Sequence, residues 1–314
     1  MNWLQIALVS YFILSIATLV DKIFLSKVVA ASFVYMLWVV MLSIVIAGGF
    51  AVVVLVSQSA GVWPTTVAGS FTLMSSWYMF IAIVVGIFFT AALYFLYSSI
   101  QKGEISRITP IIGGSMPLLI YAMTFYHQPL DAGKLIAFLI LVTGTVLISY
   151  MPRRSGDKKG GGYFLALGAS FSFAVFFVLT QYLFREQGFI NGIIWPRAGS
   201  LLVVIAFLSV PGIRRQFVES ITSVSRSVRL AWLGNQGLAV TGFVGQAFAI
   251  SLPGVSVALV AALQSVQYAL ILIYASLLSI FQPRLMKEYL STKVIIQKVL
   301  SLVLIGIGLY IVTQ

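Results

Sequence analysis

The 314-residue chain is 61% hydrophobic, only 8% charged and has a mean hydropathy of +1.07, more apolar surface than a water-soluble fold of this length has interior to hide. Its formal net charge of +12 would raise nucleic acid as a partner in a soluble protein, but beside so much apolar sequence the basic residues read as loops against anionic lipid, and nucleic acid is set aside. With no cysteine, disulfides, thiol chemistry and cysteine metal sites are excluded as well.

The apolar runs are continuous and lack the period-two alternation of a barrel strand, so they predict an all-α, polytopic membrane protein with ten transmembrane helices. In chain order they cover residues 3–24, 32–56, 75–100, 108–126 and 132–151, then 163–184, 189–210, 230–252, 255–281 and 294–313. Each is long enough to cross about 30 Å of hydrocarbon at about 1.5 Å per residue. No basic residue precedes the first run and no small-residue cleavage site follows it, so it is expected to be a retained span. Asp21 and Lys22 then fall at its cytoplasmic end, where a charged helix end beside headgroups is the expectation. Tyr11 in span 1, Trp38 in span 2 and Tyr121 in span 4 are candidate cavity residues. In span 3, Gly86, Thr90, Tyr94 and Tyr97 share a face. Tyr97 lies near the cytoplasmic end, where aromatic belts form, which leaves the deeper Tyr94 as the better cavity candidate. His127, at the outer end of span 4, reads as a loop residue.

Residues 152–162 are rich in Gly, Lys and Arg and read as a cytoplasmic linker between a first five-helix repeat, 1–151, and a second, 163–314. Beyond it, span 7 contains Trp195-Pro196-Arg197. Arg197 lies about 12 Å inside the span, and an intramembrane charge is by default functional. It would hold a carboxylate or phosphate, with Trp195 or Trp38 stacking on an apolar part of the same molecule. In span 8, Asn235, Ala239, Gly242 and Gln246 form one stripe, with Gly234, Gly237 and Gly245 as expected close-approach points. In span 9, Gln264, Gln267 and Tyr268 are spaced i, i+3, i+4 on one face. Unpaired amides are costly in hydrocarbon, so such a face lines a cavity or bonds another helix.

The charges vote on topology. Of the 19 Lys and Arg residues, 16 follow spans 1, 3, 5, 7 and 9 and only Lys134, Arg185 and Arg197 fall on the other side. The positive-inside rule then puts both termini on the periplasmic or extracellular side of a plasma membrane, the bacterial inner membrane. Five spans per half make the halves, if related, an inverted repeat. At an offset of 150, Ile100, Ile105 and Ser106 align with Ile250, Val255 and Ser256, and Gln264-Ser265-Val266-Gln267-Tyr268 with Gly114-Ser115-Met116-Pro117-Leu118.

Two five-span halves, a Gly/Lys/Arg linker, a short turn between spans 3 and 4, and closing helices with Gly144-Thr145-Val146-Leu147-Ile148 and Gly306-Ile307-Gly308-Leu309 resemble the EamA-type members of the drug/metabolite transporter superfamily. The resemblance covers essentially the whole chain. It implies a ten-helix carrier whose central cavity is built from the first four spans of each half, with the fifth spans packing the halves together. Members often end the fourth span on Gly-Glu; here Tyr126-His127-Gln128-Pro129-Leu130 lacks the Glu and Glu288 is displaced.

The expected function is alternating-access transport, facilitative or secondary active, of small organic metabolites that are amino-acid-like, anionic or zwitterionic, with a channel or lipid-carrier flippase as the alternative. The seven acids, Asp21, Glu104, Asp131, Asp157, Glu186, Glu219 and Glu288, all fall in loops or at span ends, so uniport or exchange is favoured over proton antiport. No catalytic residue, metal site or cofactor is expected, which argues against an enzyme. The partners are a small-molecule substrate and the lipid bilayer, and the protein is expected to be a monomer.

Overall fold

The computed structural model describes residues 2–28, 31–62, 69–102, 105–149, 161–281 and 292–313, and among them the regular structure is entirely helical. The helices are α1 (Trp3–Lys27), α2 (Ser32–Ser59), α3 (Ser76–Lys102), α4 (Ile105–Thr124), α5 (Ala132–Ser149), α6 (Gly161–Ile194), α7 (Pro196–Leu208), α8 (Pro211–Ser223), α9 (Arg226–Ser251), α10 (Val257–Ala262), α11 (Gln264–Phe281) and α12 (Thr292–Thr313). Local chemistry starts several of them. Asn2 and Gln5 form a reciprocal capping box at α1, with bonds of 3.0 and 3.2 Å. Pro196 and Pro211 open α7 and α8, where the missing N–H has no helical partner to lose.

Six stretches are long and apolar enough to cross a membrane unaided: Trp3–Leu25, Ser32–Ser59, Ser76–Lys102, Gly162–Ile194, Val257–Ser279 and Ile295–Thr313. They mark the chain as a helical membrane protein. The pair α7–α8, bent by 103°, makes a seventh if it is one broken span. By length and apolarity the ten crossings expected from hydropathy are therefore six or seven among the described residues. The apolar parts of α4 and α5, Ile111–Thr124 and Ala132–Ile148, are short, below the roughly 20 residues of a full crossing. Helix α9 is long enough, but Arg226, Arg229, Asn235, Gln236 and Gln246 dilute its apolarity.

The element boundaries depart from those expected at three places. The chain between the expected spans 6 and 7 stays helical except at Gly188, whose φ of 77° is cheap only for glycine. The expected span 9 divides at Leu263 into α10 and α11. After α7 the chain turns into α8, where a loop was expected. In α8, Arg214, Arg215 and Glu219 are exposed and Phe217 is buried, the pattern of an amphipathic helix. Residues 150–160, which hold most of the expected linker, the expected turn at 103–104, and Glu288 lie outside the described residues.

The most extensive packing joins residues before 150 to residues after 160: α3 along α6, α1 along α9, and α5 along α12, with α4 also on α6 and α11 also on α1. Helices α3 and α7 cross at bare backbone. A Cβ on Gly86 would collide with the Pro196 carbonyl oxygen, and one on Gly199 with that of Ile83. Ser200 fastens the crossing by donating to the Gly86 carbonyl at 3.1 Å. On α9 the close approach to Ser10 and Leu14 of α1 is made by Gly242 and Gly245, whereas Gly234 and Gly237 meet nothing within 4 Å, contrary to the expectation for those two.

Candidate functional site

Helices α1–α4, α6, α7, α9 and α11 contribute to a central cavity of about 390 Å³, within the size range of small-molecule sites. Most of its wall is apolar, with Phe89, Phe173, Phe177, Phe189 and Phe243 prominent. Such a wall gives charges inside it little screening by water.

One end holds Arg197, presented by the first turn of α7 just past the crossing at Gly86 and Gly199. Its guanidinium carbon lies 4.4 Å from the Phe89 ring centroid and 5.8 Å from that of Phe243, a cation–π seat. Its Nη1 is buried and has no hydrogen-bond partner. Two ion pairs join described residues, Lys134–Asp131 and Arg215–Glu219, so among those residues no carboxylate is paired with Arg197.

The other end holds Asp21. Helix α1 continues past it to Lys27, so the carboxylate is inside the bundle and 7% exposed. Three neighbouring helices aim donors at it. Tyr35 of α2 donates to Oδ1 at 2.6 Å, and Asn235 and Gln236 of α9 donate to the same oxygen at 2.7 and 3.2 Å. Among the described residues, Oδ2 accepts only from Tyr97 of α3, at 3.3 Å. Tyr35 and Tyr97 meet edge to face, with centroids 4.9 Å apart. Tyr97 is eight residues along α3 from Phe89, and Gln236 seven along α9 from Phe243; the two ends therefore lie about 10–12 Å apart along the helices.

A polar belt is built around the break at Leu263. Gln264, the first residue of α11, keeps Oε1 buried without a partner; Gln267 donates to Thr18 of α1 at 3.1 Å and also leaves Oε1 unpartnered. Tyr268 fits against the bare backbone of Gly113 on α4. Gln246 of α9 donates to the Tyr11 hydroxyl at 3.1 Å, and Tyr11 donates to the Val260 carbonyl at 2.6 Å.

Arg197, Gln246, Gln264, Gln267 and Tyr268 thus line one cavity. The other expected site residues do not reach its wall. Tyr11 is fully buried behind Gln246. Asn235 is turned to Asp21 and the Ala17 carbonyl. Trp195 stacks on Phe71 at 5.4 Å and donates to the Thr72 carbonyl at 2.9 Å, so it pins the segment before α3. Trp38 donates to Ser220 of α8 at 3.0 Å and packs on Trp232 at 5.2 Å. Tyr94 packs on Phe95, and Tyr121 on Phe125 and Phe138. The order expected for Tyr94 and Tyr97 is reversed, because Asp21 draws Tyr97 inward. Asp21, Thr18, Tyr97 and Gln236 line the cavity without having been expected there. The signal for Asp21 was available: Leu14, Ala17, Thr18 and Asp21 follow i, i+3, i+4, i+7, a continuous helix face.

Among the described residues no group of three His, Asp or Glu side chains converges to hold a metal. No family model matches the chain, and no curated protein matches it. A solved crystal structure, described only as that of a protein, is similar with a TM-score of 0.62 and 18% identity, covering 99% of this chain and 98% of that one. The likeness is one of fold alone.

Proposed function

We propose that this chain is a carrier of the EamA drug/metabolite-transporter kind, moving small organic anions or zwitterions by alternating access. Arg197 carries the reading: a half-buried cation, seated against two phenylalanines, with a buried, unused donor in a cavity of ligand size. A carboxylate or phosphate supplies what it lacks, and the flanking rings suit an apolar substituent.

The proposed ten crossings are the six long apolar stretches together with α4, α5, α7 and α9. Exchanging each crossing with the one five places later turns the α3–α6 contact into α9–α1 and the α4–α6 contact into α11–α1, while α5–α12 and α2–α7 map onto themselves. All of these contacts occur, which supports two inverted five-helix halves, 1–151 and 163–314, around a midplane cavity. The excess of basic residues after odd-numbered spans supports a plasma-membrane carrier, the bacterial inner membrane included, with both termini outside. In this reading the protein is a monomer, not an enzyme, and needs no cofactor.

The test is uptake of a panel of small carboxylates, phosphates and zwitterions into proteoliposomes under both gradient directions. Saturable uptake of an anionic or zwitterionic compound, lost in Arg197→Gln, is expected. Flux that never saturates points to a channel, and movement of labelled lipid alone to a flippase. No transport by correctly folded protein refutes the proposal.

A further inference from the structure

We propose that Asp21 is a proton site coupled to anion binding at Arg197, so that a proton and a substrate anion occupy the cavity together. The inference rests on the reading of Arg197 as an anion site. It replaces the expectation of uptake without proton coupling, which assumed that no acid lies deep in the bundle.

The geometry favours a proton over a metal ion as the partner of Asp21. All four side chains aimed at the carboxylate are donors, phenol hydroxyls and amide NH₂ groups, whereas a hard cation needs converging oxygen acceptors. Oδ1 is filled by three bonds, and Oδ2 has a single long one. A proton from water binds Oδ2 there and leaves from the same atom, and the Tyr97 hydroxyl can turn from donor to acceptor.

Among the described residues, Asp21 and Arg197 are the charged side chains on the cavity wall. Helices α2 and α11 carry no charged residue. The charged side chains described on α3, α6 and α9, Lys102, Arg185, Glu186, Arg226 and Arg229, are not on the cavity wall. Lys22, next in sequence, reaches the Ile100 carbonyl at 2.6 Å. The titratable groups facing Asp21 are the phenols Tyr35 and Tyr97, with Tyr268 of α11 on the same cavity and Arg197 across it.

With Asp21 ionised, its charge cancels that of Arg197; with Asp21 protonated, the cavity is a net cation and accepts an anion. Across about 10–12 Å at an effective dielectric near 20, one unit charge changes the affinity for the other about ten-fold, and linkage makes the effect reciprocal.

The test begins without any ligand. Infrared difference titration of the purified protein in nanodiscs is expected to show a protonated-carboxyl band that titrates with pH and is absent in Asp21→Asn. Asp21→Glu, which keeps the carboxyl but moves it, shifts the band and assigns it should the Asn variant fail to fold. Arg197→Gln is expected to raise the proton affinity about ten-fold, while Arg197→Lys, which keeps the charge, holds it. Benzoate, as probe anion, then moves the wild-type titration the same way as Arg197→Gln and has no effect in that variant. A band unchanged by both Asp21 substitutions overturns the proposal, as does a titration indifferent to the charge at position 197. If that charge matters but benzoate does not bind, the coupling stands and the reading of Arg197 as a substrate site falls.

Discussion

At Arg197 a full charge, two aromatic faces and an unpartnered donor meet in the cavity. Replacing it by Gln is expected to weaken an anionic ligand about ten- to hundred-fold, as a lost charged hydrogen bond does, and to leave neutral analogues unaffected; calorimetric binding would read both. Tyr11 makes the opposite prediction, since its hydroxyl serves structure. Tyr11→Phe strands the Val260 carbonyl and the Gln246 amide in the buried core. It is expected to lower stability by about 1–3 kcal/mol in denaturant or thermal unfolding. A loss of ligand affinity with unchanged stability would instead place Tyr11 in the site. Polarity within an apolar run was enough to pick out Arg197, Gln246, Gln264, Gln267 and Tyr268, which all line the cavity. It misplaced Asp21 because a charge near the end of an apolar run reads as a helix end beside headgroups, whereas the helix goes on to Lys27 and the carboxylate meets donors from α2, α3 and α9 that no local pattern shows. The tryptophans misled for a related reason. Composition shows an indole inside a span, but the bonds from Trp195 to the Thr72 carbonyl and from Trp38 to Ser220 come from segments distant in sequence.

Among the elements, the α3–α7 crossing decides where Arg197 stands. Gly86→Ala or Gly199→Ala drives a methyl into a backbone carbonyl that no rotamer change can move aside. About 1–3 kcal/mol of overpacking cost is expected, with loss of anion affinity as α7 shifts. Gly237→Ala, a helix-interior glycine with open space around it, is expected to stabilise by about 0.5–1 kcal/mol. Thermal unfolding of the three variants checks the contrast, and equal destabilisation by all three would refute it. The positions of the apolar helices were legible because continuous runs of this length have few other homes. The breaks were not. Leu263, where α10 gives way to α11, carries no glycine or proline signal. The amphipathic α8 was read as a loop because its polar face lowers the mean of a pattern whose period was the real signal.

For the molecule as a whole, the seams that matter join residues before 150 to residues after 160. Because α3–α6, α1–α9 and α5–α12 all cross between them, cutting an inserted protease site within residues 151–162 is expected to leave both fragments migrating together in size-exclusion chromatography. Separation of the fragments would show that these seams do not hold the fold by themselves. The proposed alternating access, in which residues before 150 move against those after 160, has a ready-made witness. Trp38 of α2 and Trp232 of α9 sit edge to face at 5.2 Å and 74°, one in each half, and Trp38 is also bonded to Ser220 of α8. Indole emission responds to the nearness of another ring and to the polarity around it. If the proposed rocking parts α2 from α9, both change at once, and the intrinsic fluorescence of the unlabelled protein gauges that opening with no ligand in hand.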